Sequence, residues 1–152
     1  MLRWDCRGSP ARPNEDYSLE LSRFGEYLGS SRASSPDILF LSETKMDWKR
    51  IERFRWILKM PNLVVKDCNG LSGGLALFWN KEIDLTVKSL SRYHIDAVVK
   101  EEDGRQWRFT GIYGEPKVED RGKTWKLLCI LKNMYRMPWL CAGDFNEVLL
   151  CW

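Results

Sequence analysis

The sequence has almost no histidine and no paired cysteines. His94 is the single histidine in 152 residues, and the five cysteines (Cys6, Cys68, Cys129, Cys141, Cys151) include no Cys-x-x-Cys spacing. A zinc finger or ribbon, which needs four closely grouped Cys or His ligands, is excluded. An odd cysteine count without a secretory leader points to free thiols in a reducing compartment. The opening MLRWDCRGSPARP has no apolar core of the kind a leader carries. Nowhere does the chain approach the ~18 to 20 apolar residues of a membrane span. We therefore expect a soluble intracellular protein, nuclear or cytoplasmic and not secreted, with no membrane partner. An excess of one charge is lacking too: 24 basic against 21 acidic residues leave +3, which permits contact with nucleic acid without demanding it.

Apolar and aromatic residues are what the chain has in quantity. A 44% hydrophobic content with eight tryptophans excludes disorder. The length suits one domain over residues 1–152, and no repeat or long linker divides it. Leu2 to Cys6 is expected as a short strand, followed by a helix with Tyr17, Leu21, Phe24 and Leu28 on one face. Ile38 to Leu41, four apolar residues in a row, suits a strand buried on both faces. A second helical stripe joins Trp48, Ile51, Phe54 and Leu58.

After Pro61 the period changes to that of strands: Leu63 to Val65, Leu75 to Trp79, the alternating Ile83, Leu85 and Val87, then Ile95 to Val99. Asp103-Gly104 has hairpin-turn chemistry and leads to Trp107, Phe109 and Ile112. A third helix is expected through Trp125, Leu128, Leu131 or Lys132, and Tyr135, ending at Met137-Pro138; Trp139 to Ala142 then forms a last buried strand. This order favours a mixed α/β sandwich over a regular βαβ array.

Four corners place polar residues where an apolar strand ends: Trp4 to Gly8, Leu41 to Lys45, Thr110 to Pro116 and Ala142 to Asn146. Carboxylates in such places suit Mg²⁺, a hard cation that takes oxygen ligands and commonly needs only one or two carboxylates beside water and substrate phosphate. Asp144 and Asn146 alternate along the chain, so an extended segment would turn both to one side. An ionised Asp144 can align a water while the Asn146 amide donates to a phosphate oxygen. Each corner alone also fits a turn former or helix cap, and Tyr113 fits a packing role with a wet hydroxyl.

The segments LRWDCRG, DILFLSETKM, SGGLALFWNKEIDL, HIDAVV, WRFTGIYGEP and WLCAGDFNEVL run in the order of the endonuclease/exonuclease/phosphatase superfamily. The chain most resembles the endonuclease domain of plant non-LTR (LINE-type) retrotransposons and their host-encoded relatives. The resemblance covers residues 2 to 150 and implies a four-layer α/β sandwich that hydrolyses phosphodiesters with Mg²⁺, or Mn²⁺ as the alternative, on DNA or on RNA. It implies that Glu43 holds the metal with Asp5 nearby, that Tyr113 contacts the scissile phosphate, that Asp144 positions the attacking water, and that Asn146 binds phosphate.

Two departures temper that expectation. The first strand of the family usually ends in Trp-Asn-Cys-Arg-Gly, whereas position 5 here is Asp5. A carboxylate there cannot donate as the amide would, and it adds negative charge beside Glu43 and Asp144. Family members also continue past Gly-Asp-x-Asn to a terminal Ser-Asp-His, and this chain does not. The resemblance thus implies a C-terminally truncated domain, with an incomplete second sheet and weak or no activity. An exposed sheet edge would call for a partner or self-association to cover it. His94 lies in an internal strand segment, where ordinary packing and hydrogen bonds are expected of it. Two further readings stand beside the enzyme. One is a nucleic-acid-binding remnant using Arg50, Arg53, Arg55, Lys59 and Lys66 with nearby tryptophans; the other is a decayed element without molecular function.

Overall fold

The computed structural model describes residues 36–70 and 72–146. The expected strand at Leu2 to Cys6, the helix through Tyr17 and Leu28, and the closing Val148 to Trp152 lie outside these residues. Among the described residues there are two sheets. The first holds β1 (Ile38–Ser42), β2 (Asn62–Lys66) and β3 (Leu75–Trp79) in the order β1-β3-β2, all antiparallel. The second holds β4 (Asp84–Leu90), β5 (His94–Lys100), β6 (Gln106–Tyr113) and β7 (Trp139–Asp144) in chain order. Helices α1 (Trp48–Glu52) and α2 (Phe54–Leu58) pack on the first sheet, and α3 (Gly122–Met134) lies against the second. The layers therefore run helix, sheet, sheet, helix, as the four-layer sandwich expectation requires.

Strand β3 shows why the layers stack in this way. It is central in its sheet, and Leu75, Ala76, Leu77 and Phe78 have no exposed surface. Successive side chains of a strand point to opposite faces. Ala76 and Phe78 accordingly join Ile51, Phe54 and Leu58 beneath the helices, while Leu75 and Leu77 join Ile95, Ala97 and Phe109 between the sheets. The expectation for the DILFLS strand holds likewise: Leu39 and Leu41 enter the helix-side core, and Ile38 and Phe40 pack toward the second sheet. Phe40 meets the Phe109 ring edge-on at 6.3 Å, in space that a side chain at Gly111 would fill.

Three expectations need correction. The stripe from Trp48 to Leu58 is carried by two short helices that meet at Arg53, and Trp48 itself is half exposed. Asp47 starts this segment by accepting the Arg50 N–H on its side chain, and Lys59 ends it in a left-handed conformation. The third helix stops at Met134; Tyr135 is extended, and its ring stacks on the Arg108 guanidinium instead of continuing the helical face. The last strand is not buried. β7 pairs only with β6 among the described residues, Leu140 is 48% exposed, and Trp139 and Cys141 line an apolar groove with Trp125, Leu128 and Phe145.

The expected meander is present in β4 to β6, but β7 runs parallel to β6, so β6-α3-β7 is one βαβ unit after all. The sequence order alone did not reveal it, because a helix between two strands is compatible with either pairing. The parallel pairing is held under α3 by a buried polar network. Arg108 forms a bidentate ion pair with Asp96, through Nε to Oδ1 at 2.7 Å and Nη2 to Oδ2 at 2.9 Å. Arg108 also donates to the Leu131 carbonyl of α3. Thr110 donates to Asp96 at 2.6 Å and accepts from the Trp139 indole at 2.8 Å. Charges removed from water in this way are tolerated only when nearly every donor finds a partner.

Candidate active site

Strands β1, β6 and β7 all end on the same side of the molecule, and β1 packs against both of the others. Tyr113 is the last residue of β6 and lies in register with Asp144, the last residue of β7. Glu43 follows the last residue of β1. The Tyr113 hydroxyl donates to Glu43 Oε1 at 2.9 Å, closing a separation of 70 residues. The fold thus brings three of the sequence-expected residues together at one corner.

Glu43 is exposed and sits at φ 54°, with Lys45 at φ 51°. Left-handed backbone is unfavourable for such residues unless neighbouring structure holds it. Here Thr44 N–H donates to the Gly74 carbonyl at 3.1 Å and Lys45 N–H to that of Gly73 at 3.0 Å. A side chain at Gly74 would strike Thr44 Oγ1 at 2.4 Å. The Ser-Gly-Gly before β3 is therefore the cradle for the Glu43 loop, a role its sequence signal did not disclose.

Asn146 reaches the site by a different route from the one expected. The chain is not extended beyond Asp144: Asn146 is left-handed, at φ 51°, and its N–H donates to Asp144 Oδ1 at 2.8 Å. This local turn onto an aspartate competes successfully with strand extension, and asparagine tolerates the conformation better than most residues. The Asn146 amide then donates to the Gly114 carbonyl at 2.7 Å, while Gly114 N–H donates to the Asp144 carbonyl at 2.6 Å. The turn-former reading of Asp144 is satisfied by this geometry, which leaves its second carboxylate oxygen free of that bond.

The backbones of β6 and β7 approach so closely here that side chains are forbidden. A Cβ at Gly114 would lie 2.1 Å from the Phe145 carbonyl oxygen, and one at Gly143 would lie 2.0 Å from that of Ile112. Burial, followed by the hydrogen bond to Glu43, raises the Tyr113 hydroxyl above the ordinary tyrosine pKa. Tyr113 therefore remains a proton donor at neutral pH.

Asp5 lies outside the described residues, so its expected place beside Glu43 has no geometry to report. Among the described residues no three acidic, histidine or cysteine side chains are grouped to hold a metal. The donors present, Glu43 and Asp144, are oxygen ligands of the kind Mg²⁺ takes, and in the small number it uses when water and substrate complete its shell. His94 stands next to this corner in the sheet, in register with Ile112, but on the opposite face from Tyr113. It is buried at the start of β5, with Nε2 2.8 Å from Ser89 Oγ and Nδ1 2.7 Å from Ser91 Oγ. Burial lowers its pKa, which matches the packing role expected for it. Among the described residues Cys68, Cys129 and Cys141 are free.

A residue the sequence reading left without a role is Glu115. It is 6% exposed, accepts the Tyr93 hydroxyl at 2.5 Å, and its N–H donates to Thr124 Oγ1 at 2.9 Å. A carboxylate between Gly114 and Pro116, two places after Tyr113, was a visible oddity. Its partner, 22 residues upstream, was not.

No helix among the described residues is long and apolar enough to cross a membrane. No curated protein matches the chain by sequence. Solved structures do match it in fold. The AP endonuclease LMAP from Leishmania major superposes with a TM-score of 0.57 at 14% identity, covering 85% of this chain and 51% of that one. The 3'-5' exonuclease NExo from Neisseria meningitidis gives 0.56 at 20% identity, over 86% and 55%. TDP2 from C. elegans gives 0.55 at 15% identity, over 86% and 43%. The chain thus spans about half the length of these structures. The profile of the Endonuclease/Exonuclease/phosphatase family matches residues 4–152. With the sandwich fold and a sequence match over nearly its whole length, the chain belongs to the endonuclease/exonuclease/phosphatase family.

Proposed function

We propose that the chain carries part of a phosphodiester-cleaving site of retroelement type, Mg²⁺-dependent and directed at DNA, with low turnover as this chain alone. One observation supports the reading above others: the 2.9 Å hydrogen bond from Tyr113 to Glu43, made where Asp144 lies in register with Tyr113. The retroelement assignment rests on the motif resemblance of Glu43-Thr44-Lys45, the Gly73-to-Trp79 segment and Gly143-Asp144-Phe145-Asn146.

In this reading Glu43 holds the cation, with Asp5 as the second carboxylate. A bound Mg²⁺ would offset the negative charge that builds on the phosphate. Tyr113, kept protonated, turns its O–H from Glu43 to a phosphate oxygen when substrate arrives, which frees the Glu43 oxygen. Asp144 has one carboxylate oxygen committed to the Asn146 N–H, and it orients the attacking water with its remaining lone pairs. Asn146 donates one amide hydrogen to Gly114 and turns the other to the phosphate. The low turnover follows from histidine: the only one in the chain is held between two serines on the sheet face opposite to Tyr113, so no imidazole assists proton transfer here.

The test is nicking of supercoiled plasmid by the full chain at high protein concentration, with a single-stranded RNA arm in parallel. Weak cleavage that needs Mg²⁺ or Mn²⁺, stops with a chelator and disappears in Glu43→Ala and Asp144→Ala is expected. No cleavage of either substrate, or cleavage indifferent to both variants, overturns the reading.

A binding role separate from catalysis has its own supporting observation: Trp56 is 87% exposed on α2, beside exposed Arg53 and Lys59. Arg55 is partly committed, through an ion pair with Glu52 at 3.4 Å. Salt-sensitive DNA binding that survives Asp144→Ala and falls in Trp56→Ala and Arg53→Ala would favour this role.

A further inference from the structure

Glu115 is a buried carboxylate beside the site that the chemistry above leaves unused. Three consecutive residues at the end of β6 are each tied to a different part of the fold. Tyr113 N–H donates to the Tyr93 carbonyl at 2.8 Å, Gly114 N–H to the Asp144 carbonyl of β7 at 2.6 Å, and Glu115 N–H to Thr124 Oγ1 of α3 at 2.9 Å. The Glu115 carboxylate returns to the same hairpin that holds Tyr113, accepting the Tyr93 hydroxyl at 2.5 Å. Tyr93 is thereby gripped twice, by its carbonyl and by its side chain. Arg92 closes the cluster on the solvent side, 3.8 Å from Glu115 and 4.5 Å above the Tyr93 ring. Asp120 and Lys123, paired at 2.8 Å, are the other charged groups near it.

The reason for such a latch lies in Gly114. Close approach of Phe145 demands glycine there, and glycine leaves the chain freer to rotate than any other residue. A site tyrosine followed by glycine needs fixing from outside its own strand.

We propose that Glu115 is a positioning residue for Tyr113: through Tyr93 and Thr124 it holds the end of β6 so that the Tyr113 hydroxyl stands against Glu43. The role deepens the site reading above, since it concerns the residue given the phosphate contact there. It also agrees with the environment of Tyr113, on which the Glu115 charge acts.

The experiment is nuclear magnetic resonance of the full chain with ring-labelled tyrosine. The chain has five tyrosines, and the Tyr113 signal is identified by its loss in Tyr113→Phe. Glu43→Ala gives the position of that signal when its partner is gone. Tyr93→Phe and Glu115→Ala are expected to move the Tyr113 signal toward that detached position. Glu115→Gln keeps an acceptor for Tyr93 and is expected to leave the signal near that of the unmodified chain; Tyr135→Phe is the distant control. A Tyr113 signal unmoved by Tyr93→Phe in a folded protein overturns the proposal, and Tyr93→Phe decides the matter if Glu115→Ala fails to fold. In the nicking assay, Tyr93→Phe should lower kcat on the order of 100-fold with KM unchanged. Absence of nicking by the unmodified chain would defeat the catalytic reading, while the Tyr113 signal would still decide the positioning role.

Discussion

Tyr113 and Glu43 stand 70 residues apart in the chain and 2.9 Å apart in the fold, joined by a hydrogen bond from the phenol to the carboxylate. The bond ties the first sheet to the second at the point where β1, β6 and β7 all end. It also makes the chemistry of Tyr113 measurable without substrate.

Tyr113 should couple stability to alkaline pH. Its pKa in the folded chain is raised above the ordinary 10.0, chiefly by burial. Above pH 10 the unfolded chain therefore loses this proton while the folded chain keeps it. Folded protein then binds more protons than unfolded, and stability falls as pH rises from 10 toward the folded pKa. Denaturant melts of the intact chain and Tyr113→Phe should diverge in slope above pH 10. Parallel curves would contradict the assignment; Tyr93, raised as well, is common to both and cancels.

His94 has the opposite linkage. Its folded pKa is lowered from 6.5, first by burial, so below pH 6.5 the unfolded chain takes up a proton that the folded chain refuses. The stability associated with neutral His94 is complete above 6.5 and is lost as pH falls toward the folded value. His94→Gln should flatten the stability profile below pH 6.5 in chemical denaturation. If nicking is observed, its pH profile should keep its shape in this variant.

The Arg108–Asp96 pair is 1% and 0% exposed. Removing one partner strands the other, so Arg108→Met alone should cost about 3–5 kcal/mol, whereas replacing both with apolar residues of similar volume should cost far less. A double-mutant cycle by urea unfolding measures the difference. Equal losses for the single and double variants would show that packing, not charge, dominates.

Gly143→Ala and Gly114→Ala force a Cβ to about 2 Å from a carbonyl oxygen, and Gly143 also sits at φ 138°. Each should destabilise by about 1–3 kcal/mol or more, because backbone strain cannot relax between paired strands. Gly104→Ala meets no neighbouring atom, although its φ of 85° still strains an alanine. It should disturb the β5–β6 turn without affecting nicking, and thermal melts with nicking assays on the three variants separate the two effects.

Much of this architecture was legible because strands and helices bury faces at different periods. Leu75 to Trp79 and the alternation of Leu85 and Val87 declared their strands. The stripe of Ile51, Phe54 and Leu58 declared its helical face. Trp139 to Ala142 misled, since an apolar run does not say whether a neighbour covers it. Asp144 and Asn146 misled in a different way. Alternation presumes an extended chain, and the aspartate captured the Asn146 N–H instead.

By itself the sequence determined the strands and apolar helical faces of the described residues and the residue types at the corner, because hydrophobic period, turn chemistry and side-chain charge are properties of short segments. Only the tertiary structure decided that β7 runs parallel to β6, that Gly73 and Gly74 cradle Glu43, and that Glu115 reaches Tyr93. Those relations depend on which distant segments share a sheet edge. Contacts across 22 or 70 residues arise from packing two sheets face to face, and no local pattern encodes them.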